Sequence, residues 1–175
     1  MDLARPIADS YWVVPGELLA GEYPGAREPH EARRKISSLL EANIRLFIDL
    51  TEPGEHGLQE YWPTVVELAG QLNLSVEHRR MAVRDVSIPD ESLMIAILDV
   101  IDEAIAENTG AYVHCFGGIG RTGTVVGCYL VRHGLSGVEA LRRIRDWRTD
   151  TPDGWRESPE TDAQRNMVLA WAIGK

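Results

Sequence analysis

Ten consecutive residues carry most of the chemical information in this chain: His114-Cys115-Phe116-Gly117-Gly118-Ile119-Gly120-Arg121-Thr122-Gly123. A cysteine opens a glycine-rich loop, and an arginine closes it after five intervening residues. Sulfur is a nucleophile as the thiolate. Glycines let successive backbone N–H groups turn inward as a nest, and a helix beginning just behind them adds partial positive charge. A guanidinium clamps two oxygens with its planar fork, which a lysine cannot do. Together these parts suit a phosphate ester attacked by sulfur. The amides of Phe116, Gly117, Gly118, Ile119 and Gly120 would hold the phosphate oxygens, and Arg121 would clamp two of them. Cys115 would lie beneath the phosphorus for in-line attack. The same donors favour a thiolate over a thiol.

Two other anion cradles compete for this segment. A nucleotide-triphosphate loop ends in Gly-Lys-Ser/Thr, whereas Arg121-Thr122 stands here and there is no lysine. Gly118-Ile119-Gly120-Arg121-Thr122-Gly123 matches the letters of a dinucleotide-binding fingerprint. No later strand follows with an acidic residue at its end, and the match lies in the wrong half of the chain.

The loop must be held between a strand and a helix, and the flanking pattern supplies both. Ala111-Tyr112-Val113-His114 reads as a short strand and Thr122 to His133 as a helix that is apolar nearly all round, hence deeply buried. Upstream, Tyr11 to Gly21 reads as two strands about a Pro15-Gly16 turn. Ala32 to Asn43 reads as a helix with Ile36, Leu39 and Leu40 inward. Arg45 to Leu50 is a buried strand. Leu58, Tyr61, Trp62, Val65, Val66, Ala69 and Leu72 have helical spacing, with the regular part starting near Pro63. Ser75 to Arg79 is a strand candidate. Asp90 to Glu107 is a helix with Leu93, Ile97, Ile101 and Ile105 in one stripe, and Asp90 stands at its N-cap. Ser136 to Glu139 has capping-box form and opens a helix with Val138, Leu141 and Ile144 on one face. Ser158-Pro159 opens the last helix, with Val168 and Trp171 inward. Strands alternating with helices predict an α/β fold: a central, mostly parallel sheet of about five strands with helices on both faces.

The 175 residues fit one domain, read as spanning 1–175, and suffice for one full hydrophobic core. A hydrophobic content of 44% with 26% charged residues is globular, not disordered. The formal net charge of −9, without a basic run, opposes general nucleic-acid binding and docking on anionic lipid. Two cysteines, Cys115 and Cys128, make no disulfide framework, so a reducing cytoplasm is expected. The Met1 to Pro6 segment lacks the form of a signal peptide. Thr109 to Val131 is apolar but contains six glycines and has Arg121 at its middle, so it reads as loop and helix rather than a membrane span.

His114-Cys115-x-x-Gly118-x-x-Arg121-Thr122-Gly123 resembles the signature of cysteine-dependent protein tyrosine phosphatases, most closely the compact dual-specificity branch. The likeness extends to Trp12–Gly25, Phe47–Thr51, Val83-Arg84-Asp85-x-x-x-Pro89 and Ser158-Pro159-Glu160-Thr161-x-x-Gln164. It implies the three-layer fold of that branch and a two-step reaction through a phosphocysteine at Cys115; no cofactor and no metal are expected. Asp85, by matching position, would protonate the leaving oxygen and then help water hydrolyse the intermediate; Asp90, the competitor, is claimed by its cap position. Thr122 would hydrogen-bond the thiolate, and His114 would order the loop. Gln164 matches a glutamine that positions water in some relatives, although its place in the last helix reads as helix surface.

The other polar residues read as structure. Cys128 lies in an apolar helix and reads as packing. His30, His56, His78 and His133 lack paired ligand spacing. The five tryptophans read as core or rim. Glu52 to His56 follows a strand and either borders the pocket or forms a solvated turn. Arg142, Arg143, Arg145 and Arg148 read as a solvated helix face. None of Phe116, Gly117, Ile119 and Gly120 is basic, unlike relatives acting on highly phosphorylated inositides. The expected substrate is therefore a protein side-chain monoester, phosphotyrosine first, with phosphoserine and phosphothreonine behind it. A small phosphorylated metabolite, a phospholipid, or a phosphate-reading module without turnover are the alternatives. No nucleic-acid or membrane partner is expected, and the acidic surface should repel acidic peptides outside the pocket.

Overall fold

The computed structural model describes residues 3–175. Met1 and Asp2, at the head of the segment tested for a signal peptide, lie outside the described residues. Five strands form one sheet: β1 (Ser10–Val14), β2 (Leu18–Gly21), β3 (Ile44–Asp49), β4 (Glu77–Arg80) and β5 (Gly110–His114). Their spatial order is β1-β2-β5-β3-β4, and only the β1–β2 hairpin pair is antiparallel. Six helices follow the chain: α1 (Pro29–Glu41), α2 (Trp62–Gln71), α3 (Glu91–Ala106), α4 (Gly120–Arg132), α5 (Gly137–Arg148) and α6 (Asp162–Ala170). The mostly parallel sheet with helices on both faces is the expected architecture.

The period-two alternation of the strands decides which helix covers which face. Leu18, Ile48 and Val113 point into a core with α3, α4, α5 and α6. Leu19, Phe47 and Tyr112 point the other way, onto Ile36, Leu39 and Leu40 of α1 and Val65 and Ala69 of α2. Every residue of α4 before Arg132 is buried, because this helix packs against the sheet and also against α3, α5 and α6. Gly127 makes the last contact possible: a Cβ there would stand 2.5 Å from Cγ2 of Val168.

Element boundaries move where side chains outside the apolar pattern decide them. Helix α1 starts at Pro29 in its first turn, three residues before the apolar stripe. Helix α6 starts at Asp162, not at Ser158-Pro159. Its N-cap is Thr161, whose hydroxyl accepts from the backbone N–H of Gln164 while the Gln164 side chain accepts from that of Thr161. Helix α5 has the expected box at Ser136 and Glu139, but its inward stripe is Ala140, Ile144 and Arg148; Val138 is 69% exposed. Asp90 caps α3, its Oδ1 accepting from the Leu93 N–H at 2.8 Å.

The tight α4–α6 contact gives a direct test. Gly127→Leu should destabilise the protein by about 1–3 kcal/mol through overpacking, measured as a lower urea midpoint with an unchanged slope. A neutral result would show that α6 can move away from α4 without cost.

Candidate active site

The parallel register brings the carboxyl ends of three strands level: Gly21 and Asp49 both pair with His114. Segments leaving those ends converge outside the sheet, where open α/β sheets bind ligands. The loop from Cys115 to Gly120 rests on the chain leaving β2, with the Tyr23 N–H donating to the Phe116 carbonyl at 2.9 Å. Gly118 has φ +68° and packs so close to the Gly21–Glu22 backbone that a Cβ has no room. Only glycine meets both demands. The segments after β3 and β4 are tied together by Met81 N–H to Asp49 O and Val83 N–H to Leu50 O.

Cys115 and Arg121 are 3% and 2% exposed, at the two ends of this loop. The Arg121 guanidinium is gripped from the outer side. Glu55 takes both terminal nitrogens, Oε2 from Nη1 at 2.7 Å and Oε1 from Nη2 at 2.6 Å. Nη1 also donates to the carbonyls of Val83 and Leu50, and Nη2 lies 3.0 Å from Oδ1 of Asp85. Two buried polar atoms here have no hydrogen-bond partner: Arg121 Nε and Thr122 Oγ1. The bond from Thr122 to the Cys115 sulfur that the resemblance implies is therefore not formed in this structure.

Asp85 is bound on both oxygens. Oδ2 pairs with His56 Nε2 at 2.8 Å, and Oδ1 accepts from the Val86 N–H as well as facing Arg121. Burial alone would raise its pKa. The His56 hydrogen bond and then the Arg121 charge outweigh burial and hold the carboxyl below the ordinary carboxylate range. Cys115, Arg121, Asp85, His56, Phe116, Gly117, Ile119 and Gly120 line one cleft of about 240 Å³, together with Arg156 and Glu160. The His56 ring packs against that of Phe116 with centroids 5.1 Å apart.

Beneath the loop lies a buried polar network. Nε2 of His114 is 2.8 Å from the Tyr61 hydroxyl, and its Nδ1 is 3.3 Å from the Cys115 carbonyl. Asp49 accepts from the Thr51 hydroxyl and backbone N–H and pairs with His78 and Arg80. Burial pushes the His114 pKa down to about 4, so its ring is neutral at pH 7. Burial opposes ionisation of Asp49 too, but the hydrogen bonds from His78 and Thr51 and the nearby His114 hold it far below the usual carboxylate value.

The structure decides one open reading of the sequence and revises two. Of the two readings of Glu52 to His56, the pocket border holds: Glu55 sits over Arg121 on a short 3-10 turn, Glu55–Gly57, and His56 lines the cleft. Gln164 is fully buried rather than on the helix surface, and its Nε2 donates to the Ser87 carbonyl in the Asp85 segment at 3.0 Å. Arg148 is 4% exposed, so it leaves the solvated face of α5. Arg156 and Glu160, which no spacing pointed to, border the cleft. Cys128 is packing as read, and burial pushes its thiol up to about 12. Glu55, His56 and Asp85 bring donor atoms within 4.8 Å of one another, as a metal site would. Arg121 bonds to both of these carboxylates, and its positive charge opposes a cation there.

A family model described as "Swiss Army Knife protein, DSP-PTPase phosphatase domain" matches residues 8–172. The chain belongs to this phosphatase family. It is 42% identical to the dual specificity protein phosphatase CDC14B of Mus musculus over 148 residues, covering 78% of this chain and 27% of that one. The chain thus spans about a quarter of that relative's length. Among solved structures, Tk-PTP in the active form superposes with a TM-score of 0.71 at 23% identity, covering 91% of this chain and 93% of that one. PTPMT1 in complex with PI(5)P gives 0.67 at 19%, covering 93% of each. Both share the fold. Among the described residues, no helix is long and apolar enough to cross a membrane.

The network under the loop predicts a pH dependence. A histidine held near 4 in the folded state and near 6.5 unfolded contributes its full stability above pH 6.5 and loses it as pH falls toward 4. The loss should be on the order of 3 kcal/mol. Urea unfolding at pH 7, 5.5 and 4 checks this, and His114→Gln should flatten the slope in that window.

Proposed function

We propose that this chain hydrolyses phosphate monoesters through a phosphocysteine, with phosphotyrosine in a protein as the first substrate class and phosphoserine and phosphothreonine behind it. The observation that carries this reading is the pair of unpartnered buried donors, Arg121 Nε and Thr122 Oγ1, next to Cys115. A buried donor without a partner costs about 1–3 kcal/mol, and an oxyanion and a thiolate are the species that relieve it. Glu55 holds the guanidinium by its Nη1–Nη2 end, which leaves the Nε side to clamp the substrate.

In the first step the Cys115 thiolate attacks phosphorus, an S–P bond forms and the ester P–O bond breaks. The leaving oxygen takes the proton of Asp85. In the second step Asp85 takes a proton from water, whose oxygen attacks phosphorus, and the S–P bond breaks to release inorganic phosphate and the thiolate. Thr122 would stabilise that departing sulfur. Asp85 must be protonated to begin, whereas the free site favours its anion. A bound dianion removes this obstacle: it takes over the Nη2 donor and adds negative charge beside the carboxyl, which raises its proton affinity. Asp90 stays the helix cap. Two unpaired cysteines suit a reducing compartment such as the cytoplasm.

Hydrolysis of an aryl phosphate should fall on the order of a thousandfold or more in Cys115→Ser and about a hundredfold or more in Asp85→Asn. Asp85→Asn should also flatten the alkaline limb of the pH profile. Unchanged activity in Cys115→Ser would end the reading, and a flattened limb in Asp90→Asn instead would move the acid. Phosphotyrosyl, phosphoseryl and phospholipid substrates assayed side by side decide the substrate class.

His56 gives a sharper test of the acid. Its hydrogen bond favours the Asp85 anion, so His56→Ala should raise the free-enzyme pKa. The alkaline limb of kcat/KM should then move to higher pH, with a smaller movement in the kcat limb. No movement would mean that the 2.8 Å contact does not tune the acid.

A further inference from the structure

The inward stripe of α5 ends in an arginine where a hydrophobic residue would be expected. Arg148 is 4% exposed, and its two terminal nitrogens donate to the backbone carbonyls of Arg156 at 2.7 Å and Asp153 at 2.9 Å. Those acceptors are neutral, so they satisfy its hydrogen bonds without cancelling its charge. Arg145, Arg156 and Arg165 line the same concavity of about 330 Å³, formed by α5, the 149–161 segment and α6, and among the described residues Glu157 is the only acidic one lining it. Trp155 stands at its edge, 82% exposed. Arg165 pairs with Glu157 and Asp162, whose side chains are 73% and 91% exposed and so leave much of its field uncancelled.

We propose that this concavity is a docking subsite for an acidic stretch of a protein substrate. Arg156 pairs with Asp153 and Glu160, and Arg165 with Glu157 and Asp162, but Arg145 and Arg148 have no carboxylate partner among the described residues, so the concavity keeps positive charge on a chain whose net charge is −9. A guanidinium fork recognises carboxylates bidentately, and the exposed Trp155 ring offers a flat apolar platform beside them. Arg156 lines both this concavity and the Cys115 cleft. A peptide with its phosphorylated residue in the cleft would cross Arg156 and lay neighbouring acidic residues among the arginines. A concave site on an acidic chain fits a peptide better than a flat anionic bilayer, which the remaining surface repels. The expectation that acidic peptides are repelled everywhere outside the pocket is thereby reversed on this one face.

The proposal rests on the protein-phosphatase reading, and the experiment separates the two. Wild type, Arg145→Glu and Trp155→Ala are assayed on an aryl phosphate and on phosphotyrosyl peptides that are neutral or carry an acidic run on one side or the other. All three proteins should hydrolyse the aryl phosphate equally. Wild type should prefer one acidic peptide, and Arg145→Glu should lower kcat/KM for it about three- to tenfold, mainly through KM, with little change for the neutral peptide. The preference should fade by ~0.5 M salt. Equal kcat/KM for neutral and both acidic peptides, or a preference that survives Arg145→Glu, would overturn the subsite. So would Arg145-dependent binding to phosphatidylserine vesicles without any peptide preference. If wild type fails on the aryl phosphate, the catalytic reading falls. The subsite is then decided by binding of the same peptides to wild type and Arg145→Glu.

Discussion

A guanidinium that is 2% exposed cannot stand without compensation, because an unpaired buried charge costs several kcal/mol. Arg121 meets this demand with two carboxylates and two carbonyls, and each comes from a segment leaving the carboxyl end of β3 or β4. The need to bury this cation at the first turn of α4 therefore fixes where those segments lie. Gly54, His56 and Gly57 take positive φ of 74°, 50° and 66°, so the turn reverses sharply and brings Glu55 inward. The Asp85 segment folds over the other side, with Val86 at φ 59°. A binding site for anions is here also the point to which the surrounding loops are anchored.

In the proposed reaction the same arrangement would join substrate binding to proton transfer. In the free protein Asp85 is a counter-ion of Arg121 and a partner of His56, and both contacts favour its anion. A phosphate dianion competes for the same guanidinium and brings negative charge of its own. In that reaction one event would release Asp85 from its pairing and favour its protonated form. Glu55 does not need to leave, because it holds the end of the guanidinium away from Nε. The arginine stays oriented while one of its partners changes role.

The sequence made the architecture legible because its signals are local. Strand alternation, the Ser136–Glu139 box and the Asp90 cap depend on residues within a few positions of one another. The loop from Cys115 to Arg121 was legible for the same reason: glycines, sulfur and guanidinium lie on one short stretch. Glu55 was legible only as part of a segment that could border the pocket; that it grips Arg121, 66 residues away, carries no local signal. Arg148 was misplaced because polarity assigned it to solvent, while its three-dimensional neighbours are carbonyls of a later segment. The proline signal at Ser158-Pro159 does not mark the start of α6, because the reciprocal Thr161–Gln164 box sets its first turn.

Gln164 shows how such a residue can be identified by type and yet mistaken in its work. Both ends of its amide are engaged: Oε1 accepts from the Thr161 N–H, and Nε2 donates to the Ser87 carbonyl. It also packs against the loop at Gly120, where a Cβ would come within 3.0 Å of both amide atoms. One side chain thereby joins the α6 cap, the Asp85 segment and the first residue of α4. In this geometry the glutamine fastens the segment that carries Asp85 to the loop that carries Cys115. One Nε2 proton is held by the Ser87 carbonyl, which leaves the second amide proton for any further partner. In the proposed reaction the position of the attacking water would thus be coupled to the Asp85 segment through this one amide.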